Sequence, residues 1–196
     1  MKKNRIRNLT YLSLLIAVEI AMVTIPFLGF IPIGPLKATT LHIPVIIAGI
    51  VLGKKHGSYL GLVFGLCSII MNTIQPTITS FVFSPFLSGN ILSAAIAIIP
   101  RIMIGFIAGS VYELFKGKCK NLSIIISSLL GAMSNSILVL GGIYFIFGNQ
   151  YASVIGKSLS ALMPYFIGII TTQSILEAII GTIIAFAVSK ALLRIK

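Results

Sequence analysis

Residues 41–65 read LHIPVIIAGIVLGKKHGSYLGLVFG, two apolar runs joined by the basic turn Gly53-Lys54-Lys55-His56-Gly57. The first run, Leu41 to Leu52, is short, and the second, about Ser58 to Ile74, is longer. Outward from this pair the pattern repeats. An apolar stretch covers about Leu9 to Phe27, and others follow at about Ile91 to Phe115, Leu122 to Phe147 and Met163 to Leu192. A hydrocarbon core about 30 Å thick takes roughly 20 residues of helix, so 196 residues accommodate six spans with short connections. The expected fold is an all-α membrane protein, a six-helix bundle forming one domain over residues 1–196.

Composition supports this reading. The chain is 57% hydrophobic and 9% charged, with a mean hydropathy of +1.10, and so few polar side chains cannot cover a water-facing surface. The N-terminus resembles a secretory signal, with Lys2, Lys3, Arg5 and Arg7 before an apolar run. No small-residue cleavage site follows and further spans do, so the first helix is expected to be retained.

The formal charge of +12 arises from fifteen Lys and Arg against Glu19, Glu113 and Glu177. The basic residues lie between apolar runs, where they set topology against the insertion machinery and anionic lipid; no nucleic-acid partner is expected. With six spans, twelve of the fifteen fall on the side of the two termini, Lys37 and Lys157 fall opposite, and Arg101 lies inside a span. Cationic loops stay inside, so both termini are expected in the cytoplasm. Outer caps are expected at about 28–40 and 75–90, the second uncharged and broken by Pro76 and Pro85.

Lipid supplies no hydrophobic force between helices, so close contact relies on small residues. Gly57, Gly61 and Gly65 recur at spacing four, as do Gly105 and Gly109; packing inside the bundle is the expected use of both sets. Ala17 and Ala21 repeat the pattern on the first span, and physics alone leaves their partner open.

An ionisable group at membrane depth costs at least about 2.5 kcal/mol on insertion scales, so each one marks a functional position. Arg101 lies about ten residues into the fourth span, with Glu177 midway along the sixth and Glu19 midway along the first. Asn135, Gln173 one turn before Glu177, and Asn72 lie at comparable depth, with His42 at the start of the second span. The candidate substrate-binding residues are Arg101, Glu177, Asn135, Gln173, Asn72 and His42, with Asn90 at the end of the second cap and Lys37 on the outer face. Two readings stay open for the charged groups: they line one cavity facing outward, or Arg101 pairs with Glu177 or Glu19 and locks the bundle.

Other chemistry is absent. Cys67 and Cys119 fall at different depths, so a disulfide is not expected, and two histidines with no Asp provide neither H-E-x-x-H nor an aspartyl protease site. Gly156-Lys157-Ser158 lacks the upstream glycine of a phosphate loop, Tyr151 standing there. Neither enzyme activity, metal nor cofactor is expected, and any active transport has to borrow its energy from a partner.

Leu41 to Gly65, Phe83-Ser84-Pro85-Phe86 and Ile99-Pro100-Arg101-Ile102-Met103-Ile104-Gly105 together resemble the substrate-binding S components of energy-coupling factor (ECF) vitamin transporters, over nearly the whole chain. The resemblance implies a six-helix subunit that captures a vitamin from outside under its first and third outer loops. It also implies a multi-pass protein of a prokaryotic plasma membrane, with a transmembrane coupling subunit and two cytoplasmic ATPases as partners, the coupling subunit docked on the first helix through a pattern that Ala17 and Ala21 match. Glu19, between those alanines, is expected to point inward. Riboflavin binders commonly carry acidic residues where Ala38, Thr39 and Thr40 stand here. The Pro-Arg and Phe-Ser-Pro-Phe segments look most like pantothenate-type members, whose ligand carboxylate would suit Arg101 or Lys37. Hydroxymethylpyrimidine, riboflavin and folate components share the scaffold, and a stand-alone small channel or carrier is the alternative from another class.

Overall fold

The computed structural model of the protein describes residues 2–25, 28–33, 36–117 and 119–195, with the backbone alone at 2–5, 30–33 and 36–38. Helix α1 runs Lys2–Thr24 and is followed by an antiparallel hairpin of β1, Phe30–Ile33, and β2, Leu36–Thr39. Phe30 stands opposite Thr39 and Ile33 opposite Leu36, so the first outer cap is a two-stranded ribbon. Next come α2, Ile43–Leu52, and α3, Lys54–Ile74. The second cap holds a single 3-10 turn at Ser80–Val82 and the short α4, Pro85–Ser88. Helices α5, Leu92–Phe115, and α6, Lys120–Val154, lead to α7, Leu159–Ile169, which passes through a π turn at Ile170–Ser174 into α8, Ile175–Ile195.

Among the described residues, five segments are long and apolar enough to cross a membrane: Ile6–Thr24, Lys54–Ile74, Leu92–Phe115, Lys120–Val154 and Leu159–Ile195. The sixth, α2, has ten residues and every one is buried. Exposure is inverted relative to a water-soluble protein. Leu14, Ile70, Phe145 and Ile183 are 62%, 54%, 84% and 64% exposed, while Glu19, Arg101 and the serines of α6 at 123, 127 and 128 are buried. This is the all-α bundle expected, with lipid as the outer solvent.

The half of the bundle nearer its two termini is held by backbones in contact. A Cβ on Gly57 would lie 2.7 Å from the Gly49 Cα and 2.8 Å from the Gly105 carbonyl, and one on Gly109 would lie 2.6 Å from the Lys54 Cα. One on Gly61 would collide with the Arg101 carbonyl. The spaced glycines of α3 and α5 therefore draw these helices and α2 together by dispersion and close backbone approach.

Two connections differ from expectation. The basic turn shrinks to Gly53 alone, because its φ of 94° turns the chain in one residue, a conformation glycine adopts freely, and Lys54 already begins α3. The fifth span does not end at Phe147 in a polar loop over Gly148–Ser160. Phe147 breaks helical geometry (φ −122°, ψ 15°) yet the helix resumes to Val154, because Phe147 and Ala152 are buried against Leu162 and Phe166 of α7.

Ten residues at 1.5 Å each give α2 a length of roughly 15 Å, about half the hydrocarbon thickness. The central helix thus fills the half nearer the two termini, the inner half of the bundle, and leaves the half nearer the caps, its outer half, open above the α2 N-terminus.

Candidate functional site

That space is a cavity of about 330 Å³, at the small end of ligand pockets. Helix α1 contributes Val23 and Thr24 to its wall, β2 contributes Thr39, and the entry to α2 contributes Leu41 and His42. The α3 wall is Phe64, Ser68, Met71 and Asn72, continued by Gln75, and Arg101 and Asn135 enter from α5 and α6. No carboxylate is among these residues.

Arg101 is 8% exposed, and its orientation follows from its neighbour in sequence. Pro100 lies inside α5 and has no N–H to donate to the carbonyl four residues earlier. That carbonyl belongs to Ile96, and Arg101 Nη1 donates to it at 3.0 Å, satisfying a buried backbone acceptor. Two aromatic faces clamp the guanidinium, Phe64 of α3 at 5.5 Å and Phe83 of the second cap at 5.0 Å. Its Nε is buried without a hydrogen-bond partner.

The internal ion pair is not formed. Glu19 is fully buried in α1, inward as expected, with neither carboxyl oxygen hydrogen-bonded. Glu177 Oε1 instead accepts from the Thr39 backbone N–H at 2.9 Å and from Gln173 Nε2 at 3.1 Å. Lys54 pairs with Glu113 at 3.6 Å. Arg101 is met by a carbonyl and two rings, which leaves its charge uncompensated beside an open volume.

Of the residues singled out from sequence, His42, Asn72, Arg101 and Asn135 come together on the cavity wall. His42 Nε2 is buried without a partner and presses on α8 where a Cβ at Gly181 would lie 2.6 Å away. Asn135 Oδ1 is likewise buried and unpaired. Asn72 does two jobs: Nδ2 donates to the Ser68 carbonyl at 2.8 Å, and Oδ1 accepts from Ser80 of the second cap at 2.7 Å. Thr73 with Ser84, at 2.7 Å, and Ser93 Oγ donating to the Phe81 carbonyl, at 3.0 Å, fasten the same cap to α3 and α5.

Gln173 and Glu177 are not on the wall. The π turn carries Gln173, and the pair holds the end of the hairpin through Thr39. Asn90 is absent from the wall too; its Oδ1 accepts from the Leu92 N–H at the start of α5. The Lys37 side chain lies outside the described residues. Sequence reasoning missed Thr39, Phe64, Ser68, Met71 and Gln75. Counting back from Asn72 at helical spacing would have found Ser68 and Phe64.

A buried cation, no acid and the N-terminus of α2 opening onto the same space make the cavity favourable to an anion. Unpaired His42 and Asn135 atoms add hydrogen-bonding capacity beside it, and Val23, Leu41 and Met71 offer apolar contact.

The family model for the substrate-specific component of ECF transporters matches residues 7–189. The chain belongs to that family. This substrate-specific component is accordingly a multi-pass membrane protein that binds a substrate and works with other ECF subunits, a role that is not enzymatic. It is similar to the pantothenic acid transporter PanT of Lactococcus lactis subsp. cremoris, 35% identical over 99% of this chain and 97% of the relative. It is also similar to the pantothenate transporter PanT of Leuconostoc mesenteroides subsp. mesenteroides, 28% identical over 100% of this chain and 96% of the relative.

Proposed function

We propose that this substrate-specific component captures pantothenate from outside the cell for import. The observation that carries the reading is Arg101, a clamped cation without an acidic partner in an acid-free cavity. Pantothenate has one carboxylate, two hydroxyls, an amide and a gem-dimethyl group. The carboxylate pairs with Arg101, the amide and hydroxyls with Asn135, Asn72, His42 and Thr39, and the methyl groups with Val23, Leu41 and Met71. Full-length similarity to two relatives named for pantothenate supports the same choice.

Glu177, Gln173 and Asn90 act by fixing the two caps, and Lys37, on the hairpin, adds charge at the entrance. The bundle works as one domain in a prokaryotic plasma membrane, both termini cytoplasmic, carrying no cofactor. A transmembrane coupling subunit and two cytoplasmic ATPases drive release inward, with docking on α1. There Ala17 lies among exposed Leu14 and Val18, with Ala21 half-buried one turn on, while Glu19 is turned away into the core.

Isothermal titration of the purified protein against a vitamin panel tests the substrate. Pantothenate should bind with a Kd below about 10 µM while riboflavin and hydroxymethylpyrimidine do not; absence of pantothenate binding refutes the reading. Ala17→Trp should abolish co-purification with the coupling subunit and leave pantothenate affinity unchanged, and intact assembly would reject that face.

A further inference from the structure

A second concave site lies at the far end of the molecule from the substrate cavity, between the start of α6 and the end of α8. It encloses about 300 Å³ and is lined by Lys120, Asn121, Lys190 and Arg194 over an apolar floor at Ile124, which is 1% exposed. Lys190 and Arg194 are one turn apart on α8, so both project to the same side. Lys190 Nζ sits 5.0 Å over the Phe186 ring, which holds that cation against the helix.

The site is electrically one-sided. The chain has three acidic residues, and each is engaged or placed elsewhere: Glu113 pairs with Lys54, Glu177 holds the hairpin, and Glu19 is buried in α1. The N-cap of α6, Cys119, provides no side-chain hydrogen bond, so the positive end of this long helix adds to the field of the three cations. Flanking apolar side chains face outward: Leu122 is 53% exposed, Val188 38% and Ile195 71%. Polar cations thus rim a pocket whose walls continue into lipid-facing helix surfaces, the setting at which an interhelical basic pocket meets a headgroup.

We infer that this pocket binds the phosphate headgroup of an anionic membrane lipid, seated between the ends of α6 and α8. The assignment is independent of the substrate bound at the other end. Lipid is favoured over a soluble anion because the cations lie at the boundary of the apolar belt, and over a protein partner because the pocket is concave and of headgroup size.

Native mass spectrometry of the full chain, released from nanodiscs of phosphatidylglycerol mixed with phosphatidylcholine, tests it. Wild type should retain phosphatidylglycerol in preference to phosphatidylcholine, and K120Q/K190Q/R194Q should lower that preference at least about tenfold. A K190R/R194K variant, which keeps the charge, should retain it; unchanged pantothenate affinity in both variants shows that the bundle is folded. Equal retention of the two lipids by wild type, or undiminished preference in the triple Gln variant, overturns the inference. So does displacement of the lipid by millimolar inorganic phosphate, which would assign the pocket to a soluble anion. Loss of coupling-subunit assembly in the Gln variant with lipid preference intact would assign it to a protein and also overturn it.

Discussion

The two halves of the bundle solve opposite packing problems with neighbouring residues of the same helices. In the inner half, Gly49, Gly57, Gly105 and Gly109 bring three backbones into contact and leave no room for a side chain. In the outer half the same α3 and α5 present Phe64, Ser68, Asn72 and Arg101 to open volume. The α3–α5 seam itself continues beside that volume, where a Cβ on Gly61 would meet the carbonyl of Arg101 and one on Gly65 would lie 2.9 Å from the Ile98 Cα. The contrast teaches that tight packing below is what permits a cavity above: rigid glycine contacts fix the positions of helices whose outer ends leave polar atoms unpaired.

Breaking the inner half should have the largest effect. A side chain at Gly105 would enter the Gly57 backbone, and overpacking of even a few methylenes costs about 1–3 kcal/mol where neighbours can move. Here the neighbour is main chain, so Gly105→Leu should eliminate the monodisperse folded protein in detergent size exclusion, and binding with it. Recovery of a normal peak would show that the seam is looser than the contacts indicate.

Breaking the outer half should separate binding from stability. Arg101→Met removes a charge-assisted contact worth about 1.5–3 kcal/mol, or roughly 10- to 150-fold in Kd, while the melting temperature changes little, because relief of a buried cation without an acidic partner offsets loss of the donor to the Ile96 carbonyl. A parallel fall in melting temperature and affinity would mean that Arg101 is structural. Glu177→Ala should have a smaller effect, about 1 kcal/mol or fivefold in affinity, read as faster dissociation, since Thr39 loses the acceptor that holds the hairpin over the cavity.

The smallest and most discriminating change is Pro100→Ala. Alanine restores an N–H for the Ile96 carbonyl, which then competes with Arg101 Nη1. The melting temperature should rise, because proline is the poorest interior helix residue, yet affinity should fall about two- to fivefold as the guanidinium loses its anchor. Tighter binding in this variant would remove Pro100 from the positioning of Arg101.

Much of this architecture is legible in the amino-acid sequence. Six apolar runs, the shortness of the second, the glycine spacings and the isolation of Arg101 at membrane depth are all local properties of composition and period. His42, Asn72, Arg101 and Asn135 are recognisable for the same reason: a polar group in a lipid-length apolar run stands out wherever its helix packs.

What sequence alone does not decide is which of those groups share one space. Helix rotation is set by contacts between segments distant in the chain, so hydropathy marks Glu177 and Arg101 alike. Tertiary structure sends Glu177 to Thr39, 138 residues away, and leaves Arg101 without an acidic partner. Nor does any local signal reveal that this short α2 is wholly buried at the centre of the bundle. The cavity exists because the central helix is shorter than its neighbours, and only their packing around it turns that difference in length into a volume.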